Sequence, residues 1–198
     1  MASYIVAFTG ASGVFYGLRL VEELLRRGDD VELIISPTGF MLLKEEAGLD
    51  CEGKKTEKVI RSFFKVQGLK GRLDYTPSGR ISSPLASGSS LHKAMVVCPC
   101  SMGTLARIAG GISTNLIERA ADCVLKQGGK LIIVPRETPL NAIHLENMLK
   151  LARLGVTVLP AMPAFYHRPK TLKDAVDFVV GKVLDSLGIE NNLYKRWQ

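Results

Sequence analysis

The sequence predicts an α/β fold in which one parallel sheet is covered by helices on both faces. Two observations carry this expectation. Apolar runs of strand length alternate with longer segments whose apolar residues recur at helical spacing. The runs themselves are undivided, as strands buried on both faces require. Together they imply a three-layer sandwich with a doubly wound sheet of Rossmann or flavodoxin type. A chain of 198 residues, 46% hydrophobic and 23% charged, fits one such domain over residues 1–198.

The elements follow in order. "YIVAFT" is the first strand, ending at a glycine, and "VFYGLRLVEELLRR" is the first helix, with Leu18, Val21, Leu24 and Leu25 on one face. "VELIIS" is the second strand, stopped by Pro37, and "GFMLLKEEAG" is a helix that Gly48 can cap. From about residue 50 to 90 the pattern is least regular, ending in the turn-rich "SSPLASGSS". "KAMVVCP" is the third strand, followed by the short helix "SMGTLARIAGG" and the longer "STNLIERAADCVLKQGG". "KLIIVPRE" is the fourth strand and "NAIHLENMLKLARLG" its helix. "VTVLP" is the fifth strand, then come the loop "AMPAFYHRP" and the last helix, "LKDAVDFVVGKVLDSLG". No internal repeat or low-complexity linker interrupts the series.

Composition excludes several classes. The net charge of +7 is uneven: residues 1–50 carry four bases and eight acids, residues 51–93 nine and three, and residues 94–198 thirteen and eight. The basic middle block invites a nucleic-acid reading. Its Val59, Ile60, Phe63 and Phe64, however, suit an amphipathic helix with a solvated basic face, so no nucleic-acid partner is expected. No apolar run reaches the ~20 residues of a bilayer span, and no basic segment with an apolar signal core opens the chain, so a cytoplasmic protein is expected. Four cysteines do not suggest a disulfide framework, and Cys98 and Cys100 form C-P-C, not a redox or zinc spacing. The three histidines, at 92, 144 and 167, lack metal-ligand spacing, so no metal is expected.

In such folds ligands sit beyond the carboxyl ends of the strands. The residues there are Gly10, Ala11, Ser12 and Gly13 after the first strand and Ser36 after the second. Ser101 to Thr104 follow the third, Arg136 and Glu137 the fourth, and Tyr166 lies in the loop after the fifth. The set is small, polar and locally cationic, as a phosphorylated ligand requires. It is not a dinucleotide site. The glycines Gly10, Gly13 and Gly17 miss the G-x-G-x-x-G spacing, and Ser36-Pro37 stands where a ribose-binding acid belongs. Tyr166 and Lys170 have the Tyr-x-x-x-Lys spacing of short-chain dehydrogenases, but Pro169 between them prevents a shared helix face. "GASG" is also one residue short of the G-x-S-x-G of serine hydrolases. Ser12 fits a helix N-cap, a use compatible with facing a bound anion.

The ordered set "TGASGVFYG", "ASGSS", "MVVCPCSMGTL", "NLIERAADCVLK", "VPRETPLNAIHLENMLKL" and "PAFYHRP", with "RW" near the end, resembles the UbiX-type flavin prenyltransferases over nearly the whole chain. The resemblance implies transfer of a dimethylallyl group from dimethylallyl phosphate to N5 and C6 of reduced FMN, without a metal. The product, prenylated FMN, serves a UbiD-type decarboxylase, in ubiquinone biosynthesis or aromatic acid breakdown. It implies FMN contacts from Gly10, Ala11, Ser12, Ser36, Ser101, Met102, Gly103, Thr104 and Arg136. It implies donor-phosphate contacts from Arg119, Lys126, Arg136, Tyr166 and Lys182, with Glu46 and Glu137 as acidic members. Ser12 would relay a proton near flavin N5, and Trp197 would help close the site. Arg119 and Lys126, two turns apart on one helix, would reach a neighbouring subunit's site in a homo-oligomer, a dodecamer by resemblance. Lys182 departs from the arginine of many members; it keeps the charge but loses the bidentate fork. Simpler uses stand beside these: a solvated face for Arg119 and Lys126, helix caps for "SMGT", an Arg136–Glu137 ion pair, a tail anchor for Trp197. Two other functions stay open, an FMN-dependent cysteine-type decarboxylase of the same wider superfamily and a non-catalytic FMN carrier. The "PASANT" and "PxMNxxM" patterns of the former are only echoed here.

Overall fold

Six parallel strands form one sheet in the spatial order β3-β2-β1-β4-β5-β6. The computed structural model describes residues 2–53, 55–64, 68–88 and 92–197. The strands are β1 (Ser3–Phe8), β2 (Asp30–Ile35), β3 (Leu73–Pro77), β4 (Ala94–Cys100), β5 (Lys130–Pro135) and β6 (Thr157–Val158). The helices are α1 (Val14–Arg27), α2 (Pro37–Ala47), α3 (Thr56–Phe63), α4 (Met102–Ala109), α5 (Leu116–Lys126), α6 (Ala142–Arg153) and α7 (Leu172–Ser186).

The strand pattern explains the layers. Along β1, Tyr4, Val6 and Phe8 enter the core beneath α1, α2, α3 and α7, while Ile5 and Ala7 enter the core beneath α4 and α5. Both faces are buried, hence the undivided apolar run. The connections leaving β1 and β4, the two central neighbours, diverge to opposite faces. In doubly wound sheets the ligand crevice lies at such a switch point, beyond the carboxyl ends of these strands. Gly17 sets how closely α1 approaches: a Cβ on it would overlap the Cys98 carbonyl and the Phe8 ring.

The fold class agrees with expectation, with two local corrections. There are six strands among the described residues, not five, because β3 lies inside the block read as irregular. β3 is an edge strand, half exposed, with Asp74 inside it and Pro77 at its end, so it lacks the apolar signature of its neighbours. The ladder of β6 is shorter than "VTVLP", although Leu159 and Ala161 still donate to the carbonyls of Ile133 and Pro135 at 2.9 Å. The basic block does contain an amphipathic helix, α3, which buries Thr56 and Ile60. Ser89 and Ser90 of "ASGSS" lie outside the described residues.

Candidate functional site

The site is built where β1, β2, β4 and β5 end. After β1 the chain turns through Gly10–Gly13, and Gly13, at φ 103°, is the residue preceding α1. Ser12 is therefore not the N-cap, and no side chain of its own segment caps this helix. Glu46 does so from α2: its Oε2 accepts the backbone N–H of Gly13 at 2.8 Å and of Val14 at 3.0 Å. A carboxylate therefore already uses two of the N–H groups at the start of α1.

The hydroxyl-bearing starts of α2 and α4 flank this turn. Ser36 caps α2, accepting from Gly39 N at 3.0 Å, and its hydroxyl lies 3.1 Å from that of Thr38. Thr38 also packs on Gly10, where a Cβ would come within 2.5 Å of its Oγ1. Ser101 caps α4, accepting from Thr104 N at 3.3 Å, and donates to Thr104 Oγ1 at 3.1 Å. Its own N–H goes to Thr9 Oγ1 at 2.7 Å, which ties α4 to the end of β1. Thus "SMGT" is a helix cap as well as a lining of the rim. Gly103 leaves that lining open: the nearest atom to an added Cβ is Arg107 Nη1, at 3.4 Å.

Arg107 was not singled out from the sequence, since nothing local marks it. Its Nε donates to Glu118, whose side chain is fully buried, and its Nη2 reaches Thr104 Oγ1 at 3.4 Å. Glu118 also accepts from Thr114 N, Thr114 Oγ1 and Asn115 Nδ2 at 2.8, 2.6 and 2.9 Å. Burial pushes its carboxyl up, but the bonds from Thr114 and Arg107 outweigh that and hold it below the usual range.

Across the crevice, Arg136 Nε donates to the Ser12 carbonyl at 3.2 Å, so the guanidinium bridges the β5 and β1 turns. Glu137 forms no ion pair with it; its Oε1 accepts the Thr138 N–H at 3.0 Å. Beside them lies a cleft of about 260 Å³, lined by Arg136, Glu137, Thr138, Leu140, Met148 and Met162. Burial pushes the nearby Tyr16 phenol up, with Arg136 opposing.

The third group joins the loop after β6 to α7 and the tail. The Tyr166 ring meets Trp197 at 5.1 Å and Phe178 at 5.9 Å, both edge-on. His167 stacks on Phe178 at 5.2 Å, and neither of its buried ring nitrogens has a hydrogen-bond partner among the described residues. Lys182 Nζ lies 5.7 Å from the Phe178 ring centre and 5.1 Å from that of Tyr194. Its pKa is raised, chiefly by a hydrogen bond with Tyr194.

Arg119 and Lys126 stand apart. They do share a face of α5: Arg119 Nε donates to the Ala86 carbonyl at 3.3 Å, and Lys126 Cε lies near Gly88. Lys126, though, ends α5 just before β5 begins at Lys130, whereas Arg136 follows the other end of β5. The strand's length, roughly 20 Å for six residues, separates them. Within one chain they stand at opposite ends of β5. The four cysteines are buried, and burial pushes the Cys98 and Cys100 thiols far above their ordinary range, so neither offers a thiolate.

Fold and rim together define a flavoprotein of the doubly wound α/β class, and residues 2–184 match the Flavoprotein family. The chain belongs, more narrowly, to the UbiX family of flavin prenyltransferases. It is 50% identical over 194 residues to flavin prenyltransferase UbiX of Halalkalibacterium halodurans, covering 98% of this chain and 92% of the relative. It is 51% identical over 193 residues to that of Methanocaldococcus jannaschii, covering 98% and 97%. Among solved structures, AnUbiX (PadA1) in complex with FMN and dimethylallyl pyrophosphate is similar with a TM-score of 0.87 and 32% identity, covering 100% of this chain and 97% of the other. The dodecameric FMN-dependent UbiX-like decarboxylase of Escherichia coli O157:H7 superposes with a TM-score of 0.85 and 38% identity, covering 99% of each. The peptidyl-cysteine decarboxylase EpiD, at 19% identity and a TM-score of 0.59, shares the fold alone.

Proposed function

We propose that this chain joins the dimethylallyl group of dimethylallyl phosphate to N5 and C6 of reduced FMN, giving prenylated FMN for a UbiD-type decarboxylase. One observation carries the reading. The chain carries two sets of groups suited to anions, the hydroxyls of Ser36, Ser101 and Thr104 at two helix starts and the Tyr166–Lys182 pair beside Trp197, with Arg136 anchored to Ser12. The residues fit FMN: the uncrowded Gly103 admits close backbone approach, and the hydroxyls and guanidinium suit a phosphate monoester.

Bound reduced FMN supplies the nucleophilic ring atoms, and the chain's own residues prepare the rest. Ser36, Ser101, Met102, Gly103 and Thr104 hold the flavin between two helix starts. Lys182, Tyr166 and Arg136, with Arg119 and Lys126 from a second copy, neutralise the departing phosphate. Glu46 and Glu137 are the groups able to pass a proton there, and Ser12 would relay a proton near flavin N5. The faces of Tyr166 and Trp197 favour positive charge on the donor's five-carbon group through cation–π attraction. This division of labour requires a homo-oligomer; the product would serve a decarboxylase of ubiquinone biosynthesis or aromatic acid breakdown.

Anaerobic turnover with reduced FMN, comparing dimethylallyl phosphate with the pyrophosphate, tests the reading. Phosphate release with a new flavin spectrum is expected. FMN binding without turnover would support a carrier instead. Tyr166→Phe and Lys126→Met are expected to abolish turnover while leaving FMN bound; unchanged rates in both would refute the donor-phosphate assignment.

A further inference from the structure

The chain beyond α7 doubles back. Lys130 Nζ reaches the Ser186 carbonyl at 2.7 Å, so α7 ends beside the start of β5, at the amino edge of the sheet. From there residues 188–197 run back along α7, a helix of about 22 Å, and bring Trp197 onto Tyr166 at the carboxyl edge. The return path is built for this. Gly181 on α7 leaves the space that the Tyr194 ring occupies; a Cβ there would lie 2.5 Å from Tyr194 Cδ1.

One carboxylate gathers the returning segment. Asp185 Oδ1 accepts from Asn191 Nδ2 at 2.9 Å and from Arg196 Nη2 at 2.8 Å. Asp185 Oδ2 accepts from Tyr194 Oη at 2.7 Å and from Arg196 Nη1 at 3.1 Å. The Arg196 guanidinium forks across both oxygens, and its neighbour in sequence is Trp197. Tyr194, held by this carboxylate, in turn lies under Lys182, whose Nζ is 5.1 Å from its ring centre. Asp185 itself stands on the last turn of α7 and touches none of the rim residues assigned to FMN.

We propose that Asp185 is a positioning residue, the clasp that seats the 188–197 strap so that Trp197 covers Tyr166 and Lys182 is aimed at the donor phosphate. The inference rests on the reading that Tyr166 and Lys182 bind the donor. It goes beyond that reading in assigning donor affinity to a carboxylate outside the rim.

The experiment uses the FMN-loaded enzyme and the Asp185→Asn variant, with Arg196→Met as a second variant that changes only an exposed side chain. The sole tryptophan of the chain, Trp197, reports the strap directly. Both variants are expected to lower Trp197 fluorescence anisotropy, and Asp185→Asn to speed tryptic cleavage after Lys195. Both should raise KM for dimethylallyl phosphate by roughly tenfold, the scale of losing a charged hydrogen bond, with kcat and FMN affinity little changed. Unchanged anisotropy in both variants would overturn the clasp, as would a freed strap with an unchanged KM. Failure of the wild-type enzyme to use the donor at all would instead strike the reading of the site, whatever the strap does.

Discussion

Replacing Glu118 by glutamine exposes how much the rim depends on a buried charge. The carboxylate is fully buried and accepts four hydrogen bonds, two at each oxygen. Glutamine keeps one acceptor oxygen and turns the other into a donor. The amide cannot face Arg107 and Asn115 with its NH₂: Arg107 only donates, and the Asn115 oxygen already caps α5 through the Glu118 N–H at 3.1 Å. The NH₂ therefore faces Thr114. The Thr114 hydroxyl can rotate to accept, but the Thr114 N–H cannot, and a buried donor left unsatisfied costs about 1–3 kcal/mol. Loss of charge also weakens the Arg107 bond, discounted because that guanidinium is 41% exposed. The total is about 2–3 kcal/mol, or a Tm lower by roughly 5–10 °C for a chain of this size.

Thermal unfolding at fixed protein concentration, followed by circular dichroism at two pH values, is the assay. Because the folded-state pKa of Glu118 is depressed, its contribution is complete above the ordinary carboxylate range and is lost as pH falls through the folded value. The gap between wild type and Glu118→Gln should therefore be full at neutral pH and shrink on acidification. A shift of less than about 2 °C at neutral pH, or a gap that persists unchanged in acid, would refute the reasoning.

Three further outcomes follow from the geometry. Lys126→Met and Arg136→Met, each expected to be inactive alone, should regain activity when dissociated and reassembled together, because the proposed site draws Lys126 and Arg136 from different copies. Random 1:1 mixing restores about one quarter of wild-type turnover, and no recovery would mean that the two do not act in one shared site. Gly17→Ala should destabilise by at least about 1–3 kcal/mol, since its Cβ overlaps Cys98 and Phe8, and soluble yield and Tm report it. Gly103→Ala, whose Cβ meets only a flexible arginine tip, should keep its Tm yet lose FMN affinity; fluorescence titration separates the two effects.

What the sequence by itself determined is whatever depends on neighbours along the chain. Burial on both sides leaves its mark within each central strand, so β1, β2, β4 and β5 were legible, and with them the turns that end on the carboxyl edge. Helix starts are equally local, which is why Ser36 and Ser101 could be placed at the rim. The half-exposed β3 carried no such mark. Only tertiary structure decided which distant groups meet. Glu46 rather than Ser12 serves the start of α1 because α2 packs beside it. Arg107 is held at Thr104 because Glu118 is buried between α4 and α5. Lys126 stands a strand's length from Arg136 because α5 runs antiparallel to β5. The tail returns to Tyr166 because Gly181 makes room and Asp185 gathers it. Periodicity reports which face of an element is covered; it does not report what covers it, since that depends on pairwise distances between residues remote in sequence.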